Sequence, residues 1–409
     1  MKKKIIFTIL TCLLLTGCST KADTKNLTED AGSAVVCYAE KASLEPLHKF
    51  SYDFFEGNMD EENPIISPLS AYYAMSLAAS GADGTTKEEL ESVLGENHYQ
   101  ICDQIIEILP RNGAEMPIHI ALANSAWLDD DFKADKDWLL DINTYYSSEV
   151  FKSNLSTEDA REDINSWCSD KTMDLIPNFL EKPLPADTRL ALFNALYFKS
   201  DWRDTFGKGA TKEMAFYLEN GSLASVDMMH KYRDYKFYFA GDHFQGVCLP
   251  YHDNVTFVAV MPTDNTTIRE LYASLTMEEL TSYAKTDTTS YINLQLPKFE
   301  AETELKLIDY FKSQGVEAAF DSSLADFHKM GKTTSGNPIY ISEIIQKSVI
   351  KVNEDGTEAA AVTMVADAES ALAEPEDAPI DVFFNRPFFY MIFDKKTDVP
   401  LFMGIYEKP

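Results

Sequence analysis

An α+β fold with large sheets is what this chain predicts. Helical patterns give way to long strand patterns at Leu190–Phe198, Val255–Val260 and Ile339–Val352, and the last two thirds are strand-rich. No Gly/Ser/Pro-rich linker divides the middle of the 409 residues. With 45% hydrophobic and 12% aromatic residues, one sizeable core is expected in a single large domain.

The N-terminus reads as a leader. Lys2, Lys3 and Lys4 precede an apolar run from Ile5 to Leu14, and Leu15-Thr16-Gly17-Cys18 resembles a bacterial lipobox. Cleavage before Cys18 removes residues 1–17 as a signal peptide and leaves that thiol to carry a diacylglyceryl anchor. Residues 18–43 then form a lipidated polar tether ahead of a domain spanning 44–409, held outside the cell membrane. A plain secretory signal with an incidental cysteine is the alternative. The apolar run is too short to be a transmembrane helix.

Losing the three leader lysines takes the formal charge from −30 to −33. Such a surface disfavours nucleic acid and direct adsorption to anionic lipid, so membrane attachment has to be covalent. It favours encounter with basic proteins. Beyond Cys12 and Cys18 lie Cys37, Cys102, Cys168 and Cys248, without CxxC spacing. Buried free thiols are expected, and no disulfide framework or zinc site.

A catalytic apparatus is not evident. There is no GxSxG or HExxH, and the seven histidines are scattered. Gly331-Lys332-Thr333 mimics the end of a P-loop, but Asp326 stands where its first glycine belongs. Gly207-Lys208-Gly209 lacks the rest of a dinucleotide fingerprint. Both read as loops. No enzyme activity, cofactor or metal is expected.

In chain order, Asn63-Pro64-Ile65-Ile66-Ser67-Pro68-Leu69-Ser70 reads as a strand entering a helix, with Ser67 as N-cap and Pro68 first in the helix. Gly81 to Leu90 follows, where Thr86 and Glu89 have capping-box spacing. Then come Asn124-Ser125-Ala126-Trp127, Asn194-Ala195-Leu196-Tyr197-Phe198-Lys199 with Trp202 and Phe206, and Val226-Asp227-Met228-Met229. Leu296-Pro297-Lys298-Phe299 and Ala325-Asp326-Phe327 precede the long strand ending at Val352.

The stretch from Glu354 onward carries the most information. One glycine, Gly356, is followed by small residues free of proline and further glycine as far as Ala373. Read as a strand, Thr357, Ala359, Ala361, Thr363 and Val365 share one face, which stays uncharged until Asp367. Glu358, Ala360, Val362 and Met364 share the other, where Glu358 can remain in water. Such a segment can enter the middle of a sheet, because buried unpaired charge is costly and proline breaks a ladder. Gly356 supplies a hinge of wide φ/ψ range. Propensity alone equally favours a helix capped by Asp355 or Thr357. Pro375, Pro379, Phe384-Asn385-Arg386-Pro387-Phe388 and Pro400-Leu401-Phe402-Met403-Gly404 complete the chain.

Taken in order, these blocks resemble the serpins, protease inhibitors that trap their target by loop insertion, from about Leu44 to Pro409. The resemblance implies the serpin fold: large mixed and antiparallel sheets, about eight or nine helices, and an exposed reactive-centre loop over about 354–383. It implies a hinge at Glu354, Gly356, Thr357, Glu358, Ala359, Ala360 and Ala361. Ser67, Ser70 and Asn194 would form the shutter beneath the main sheet, and Trp202 the breach where insertion begins. Where many serpins carry a shutter histidine this chain has Gln346, an amide that can donate and accept but does not titrate.

The implied function is suicide-substrate inhibition of a serine protease by a monomer. Counting from Gly356 by the family spacing places the reactive bond at Ser370–Ala371; counting back from Phe384 gives Glu376. The forward count is preferred, since the inserted portion fills a slot of fixed length, with cleavage one or two bonds along, within Ser370 to Ala373, left open. No Arg or Lys occurs from Val362 to Asn385. A small-pocket, elastase-like protease is therefore expected over a trypsin-like one. A serpin-fold surface protein that binds without inhibiting is the alternative.

Overall fold

The computed structural model describes residues 24–34, 40–109, 111–112, 118–357 and 378–409. Among them are nine α-helices and two large sheets, the α+β arrangement expected. The first sheet has eight strands and is mixed. Its main path runs Lys25–Asn26, Glu149–Ser153, Ile118–Asp129, Leu190–Asp201, Gly356–Thr357, Ile341–Val352, Phe299–Lys306. The second has nine strands and ends on Ile380–Phe383, which pairs in parallel with Thr289–Pro297.

Leu190–Asp201 lacks simple alternation because both of its faces are covered. Leu190, Leu192, Leu196 and Phe198 enter the main core between the sheets. Ala191, Phe193 and Ala195 face a second cluster beneath the helix Glu158–Lys171, with Ile164, Trp167 and Phe179. Phe299–Lys306, with one face to solvent, alternates buried and exposed throughout.

Helix Pro68–Ser80 is apolar almost all round and nearly wholly buried, as an interior helix must be. Ser67 caps it, accepting the Ser70 N–H at 3.3 Å, with Pro68 in the first position. The capping box expected at Thr86 and Glu89 does not form. The helix there, Gly84–Leu94, starts three residues earlier, behind Asp83. Thr86 Oγ1 instead accepts the Asp326 N–H at 2.9 Å, and Glu89 Oε2 accepts those of Glu317 and Ala318 at 2.8 and 2.7 Å. Both side chains serve backbone donors brought by a distant segment, a demand that local spacing cannot reveal.

Gly331-Lys332-Thr333 is a strand, paired with Phe132–Ala134, and Lys208 begins a short 3-10 turn, neither cradling a phosphate-type loop. Cys102, Cys168 and Cys248 are free and buried; Cys37 lies outside the described residues. Burial pushes the Cys168 and Cys248 thiols up to about 12. Residues 24–34, within the stretch read as tether, lie along the edge of the first sheet.

Candidate functional site

The site is a seam between the two central strands of the first sheet. Leu190–Asp201 and Ile341–Val352 pair directly and in parallel from Leu190 opposite Ile341 to Asn194 opposite Gln346. There the pairing stops. At the far end the two strands are bridged by Gly356–Thr357, with Gly356 opposite Asp201 and Thr357 opposite both Ser200 and Val352. The seam is thus closed at one end and wedged at the other. Between them Ala195–Lys199 and Lys347–Lys351 keep their outer partners, Ile118–Asp129 and Phe299–Lys306.

The wedge is set by a tight turn. Asn353 Oδ1 accepts the N–H groups of Asp355 and Gly356 at 2.9 and 3.2 Å, and the Asn353 N–H donates to the Gly356 carbonyl at 2.9 Å. An asparagine closing a turn on its own following backbone is ordinary turn chemistry. Gly356 is needed for a reason beyond the expected hinge: a Cβ there would stand 2.1 Å from the Ser200 carbonyl oxygen. The position demands close approach of two backbones.

Thr357 is 2% exposed, and its hydroxyl pairs with the phenol of Tyr251. Burial holds the Tyr251 hydroxyl far above its ordinary pKa, so it is a neutral partner, though the Thr357 hydrogen bond pulls slightly the other way. Tyr251 stacks on Trp202 at 4.3 Å between centroids. Trp202 donates its indole N–H to the Asn353 carbonyl and its backbone N–H to the Asp355 carbonyl, each at 2.8 Å. Glu354, also buried, accepts from Thr211 Oγ1 at 2.8 Å and pairs with Lys298 Nζ at 3.2 Å. Burial alone would raise its pKa; the backbone bond, Thr211 and Lys298 outweigh it and hold the carboxyl below its usual range.

At the closed end the structure brings Ser67, Ser70, Asn194 and Gln346 together. Gln346 Nε2 donates to the Ser67 carbonyl at 2.8 Å and to Asn194 Oδ1 at 3.1 Å, while its Oε1 accepts the Ser67 N–H at 3.2 Å. The last paired residues of the seam are therefore also joined side chain to side chain. Satisfaction is incomplete: Ser70 Oγ, Asn194 Nδ2 and, across the neighbouring strand, Asn124 Oδ1 are buried without partners among the described residues. Each such atom costs roughly 1–3 kcal/mol. The closed seam is held by bonds that are locally under-rewarded.

Trp202 sits at the wedge as expected, and Glu354, Gly356 and Thr357 with it. Glu358, Ala359, Ala360, Ala361, Ser370, Ala371 and Cys18 lie outside the described residues. The sequence reading missed Tyr251, Asn353, Thr211 and the role of Lys298. Only Asn353, three residues before a glycine, carried a local signal.

A family model, serpin (serine protease inhibitor), matches residues 46–409. A serpin-like protein of Methanosarcina mazei is 33% identical over 361 residues, covering 86% of this chain and 82% of the relative. Leukocyte elastase inhibitor of Xenopus tropicalis is 30% identical, covering 88% of this chain and 97% of its own. Among solved structures, the native state of the thermophilic serpin tengpin superposes with a TM-score of 0.84 at 30% identity, over 94% of this chain and 100% of tengpin. A chain with this seam, this wedge and these relatives belongs to the serpin family.

Proposed function

We propose that this serpin inhibits elastase-like serine proteases by suicide-substrate trapping, with cleavage at Ser370–Ala371 followed by insertion of the severed arm into the seam. The observation that carries this reading is the wedge itself: two residues, Gly356 and Thr357, already pair as a central strand in front of an unzipped stretch. Continuing the antiparallel register from Thr357 opposite Ser200 brings Asp367 opposite Leu190, the end of the seam. Ser370 then emerges three residues beyond, which supports the forward count for the reactive bond. The core-facing positions along that path are Ala359, Ala361, Thr363 and Val365, all tolerable inside.

The protease supplies the chemistry, its serine forming an acyl-enzyme at Ser370. Insertion gains strand pairing and apolar burial and relieves the unpartnered polar atoms at the seam; this is stored strain released by a cut. The small or aliphatic residues Ser370, Ala371, Leu372 and Ala373 suit a shallow specificity pocket, and the amphibian relative named for leukocyte elastase points the same way. Cys18, lipidated, would hold the inhibitor at the outer face of a bacterial membrane.

The test mixes the purified protein with a pancreatic-type elastase and runs a denaturing gel. An SDS-resistant adduct, with a released peptide beginning at Ala371 by mass, supports the reading. Complete turnover without adduct overturns it.

A further inference from the structure

Where the chain enters the body fixes how an anchored molecule stands on a membrane. Thr24 Oγ1 donates to Ser153 Oγ at 2.8 Å, and Lys25–Asn26 pairs antiparallel with Glu149–Ser153, Lys25 opposite Lys152. Leu27 N–H bonds the Val150 carbonyl at 2.7 Å, and Leu27 and Ala31 pack against the core. Thr28 is buried, its carbonyl accepting from Asn143 Nδ2 at 2.8 Å; the Ala34 N–H reaches Thr144 Oγ1 at 3.0 Å. Residues 24–34 are a strap laid along the sheet's outer edge.

The strap begins at one pole. Ser153 lies beside Asp129, whose N–H bonds the Arg189 carbonyl next to Leu190. That is the closed end of the seam. The wedge, opposite Ser200 and Asp201, is at the other end of a 12-residue strand, about 36 Å away. The chain returns after the loop at Ile380, opposite Ile292 on Thr289–Pro297, the strand that leads into Phe299 beside Val352. Both ends of the loop therefore emerge at the wedge pole.

Only five residues separate Cys18 from Thr24, six steps of chain and a reach of about 20 Å at most. The acidic body has no electrostatic attraction to an anionic surface, so the tether alone sets its posture. We propose that the strap Thr24–Ala34 binds the lipid-anchored end of the chain to the closed pole of the seam, so that on a membrane the wedge pole, with Thr357 and Ile380 on either side of the loop, faces away from the lipid. This rests on the reading of Cys18 as lipidated.

The test uses the full-length lipidated protein, with Cys37→Ser, on phosphatidylcholine vesicles doped with a rhodamine lipid. A donor dye is placed through Ala186→Cys at the closed pole or Thr205→Cys at the wedge pole, both exposed. The buried native thiols, with their raised pKa values, stay unlabelled. Energy transfer to the lipid should be several-fold stronger from position 186 than from 205. Adding Leu27→Asp, which frees the strap, should erase the difference, because the tether then extends to Ala42 with a root-mean-square span of about 28 Å. Equal transfer from both dyes on the anchored parent, or a difference that survives Leu27→Asp, overturns the orientation while leaving inhibition in solution untouched. If Cys18→Ser still floats with the vesicles, the anchor reading falls and the proposal with it.

Discussion

Thr357→Arg tests the insertion mechanism most directly. The threonine is 2% exposed, wedged between Ser200 and Val352, with its hydroxyl on Tyr251. Of the acids just before it, Glu354 is already engaged by Lys298 and Thr211 and Asp355 by Lys208, and Glu358 alternates to the opposite face of the strand. An arginine there has two outcomes. Kept in the sheet, it is a buried cation without a partner, at a cost of several kcal/mol. Expelled, it leaves the Tyr251 hydroxyl unpaired at roughly 1–3 kcal/mol and forfeits the pre-inserted start of the strand. Full insertion requires the first outcome. At about 1.4 kcal/mol per tenfold, 3–4 kcal/mol on the insertion step slows it by on the order of 10²–10³. Deacylation belongs to the protease and is unchanged, so the acyl-enzyme hydrolyses before the arm can move. Titration against elastase with a denaturing gel should show loop cleavage at normal rate and adduct reduced to traces. Thr357→Ser, which keeps the hydroxyl, should inhibit like the parent. Adduct at parental yield from Thr357→Arg would refute burial of position 357 as a step in trapping.

Ser370→Arg should turn the preference toward trypsin-like proteases, read as the ratio of inhibition rates for trypsin and elastase; an unchanged ratio places the bond elsewhere. Gly356→Ala should unseat the wedge, since its methyl would meet the Ser200 carbonyl at 2.1 Å; faster amide exchange at Ser200–Trp202 would register it, and parental protection there would contradict it. Gln346→His should make stability pH-dependent. A buried imidazole that replaces the amide must be neutral, so its folded pKa lies below the unfolded value near 6.5; the stability it contributes is present above that value and lost as pH falls. A depression of one to two units corresponds to roughly 1.4–2.7 kcal/mol, visible as a further drop in melting temperature between about pH 7 and 5 beyond that of the parent, whose buried His98 also weakens the fold as pH falls. Glu354, its pKa held below the usual carboxylate range, should keep the turn latched until pH falls below that range, reported by Trp202 fluorescence; release near neutrality would contradict the pairing with Lys298.

Much of this was legible in the residues. Ser67-Pro68 announced its helix start through a local rule, and Leu190–Phe198 and Val255–Val260 are strands within one to three residues of their expected ends. Ile339–Val352 begins at Ile341. What escaped was everything decided by distant partners. Thr86 and Glu89 had capping-box spacing, yet backbone N–H groups more than 200 residues away claimed both. Tyr251 and Lys298 lie in ordinary strand-edge sequence and acquire roles only because the turn at Asn353–Gly356 is set down beside them. Gly356 was expected for its freedom, but the neighbouring carbonyl explains it better.

A glutamine where many relatives place an imidazole has a chemical corollary. The lock joining Ser67, Asn194 and Gln346 has no proton to gain or lose across the range in which a histidine would titrate. Its grip is then indifferent to surrounding acidity, and any sensitivity of the proposed trapping reaction in that range originates elsewhere, in groups such as the buried His98 of this chain or the histidine of the attacking enzyme.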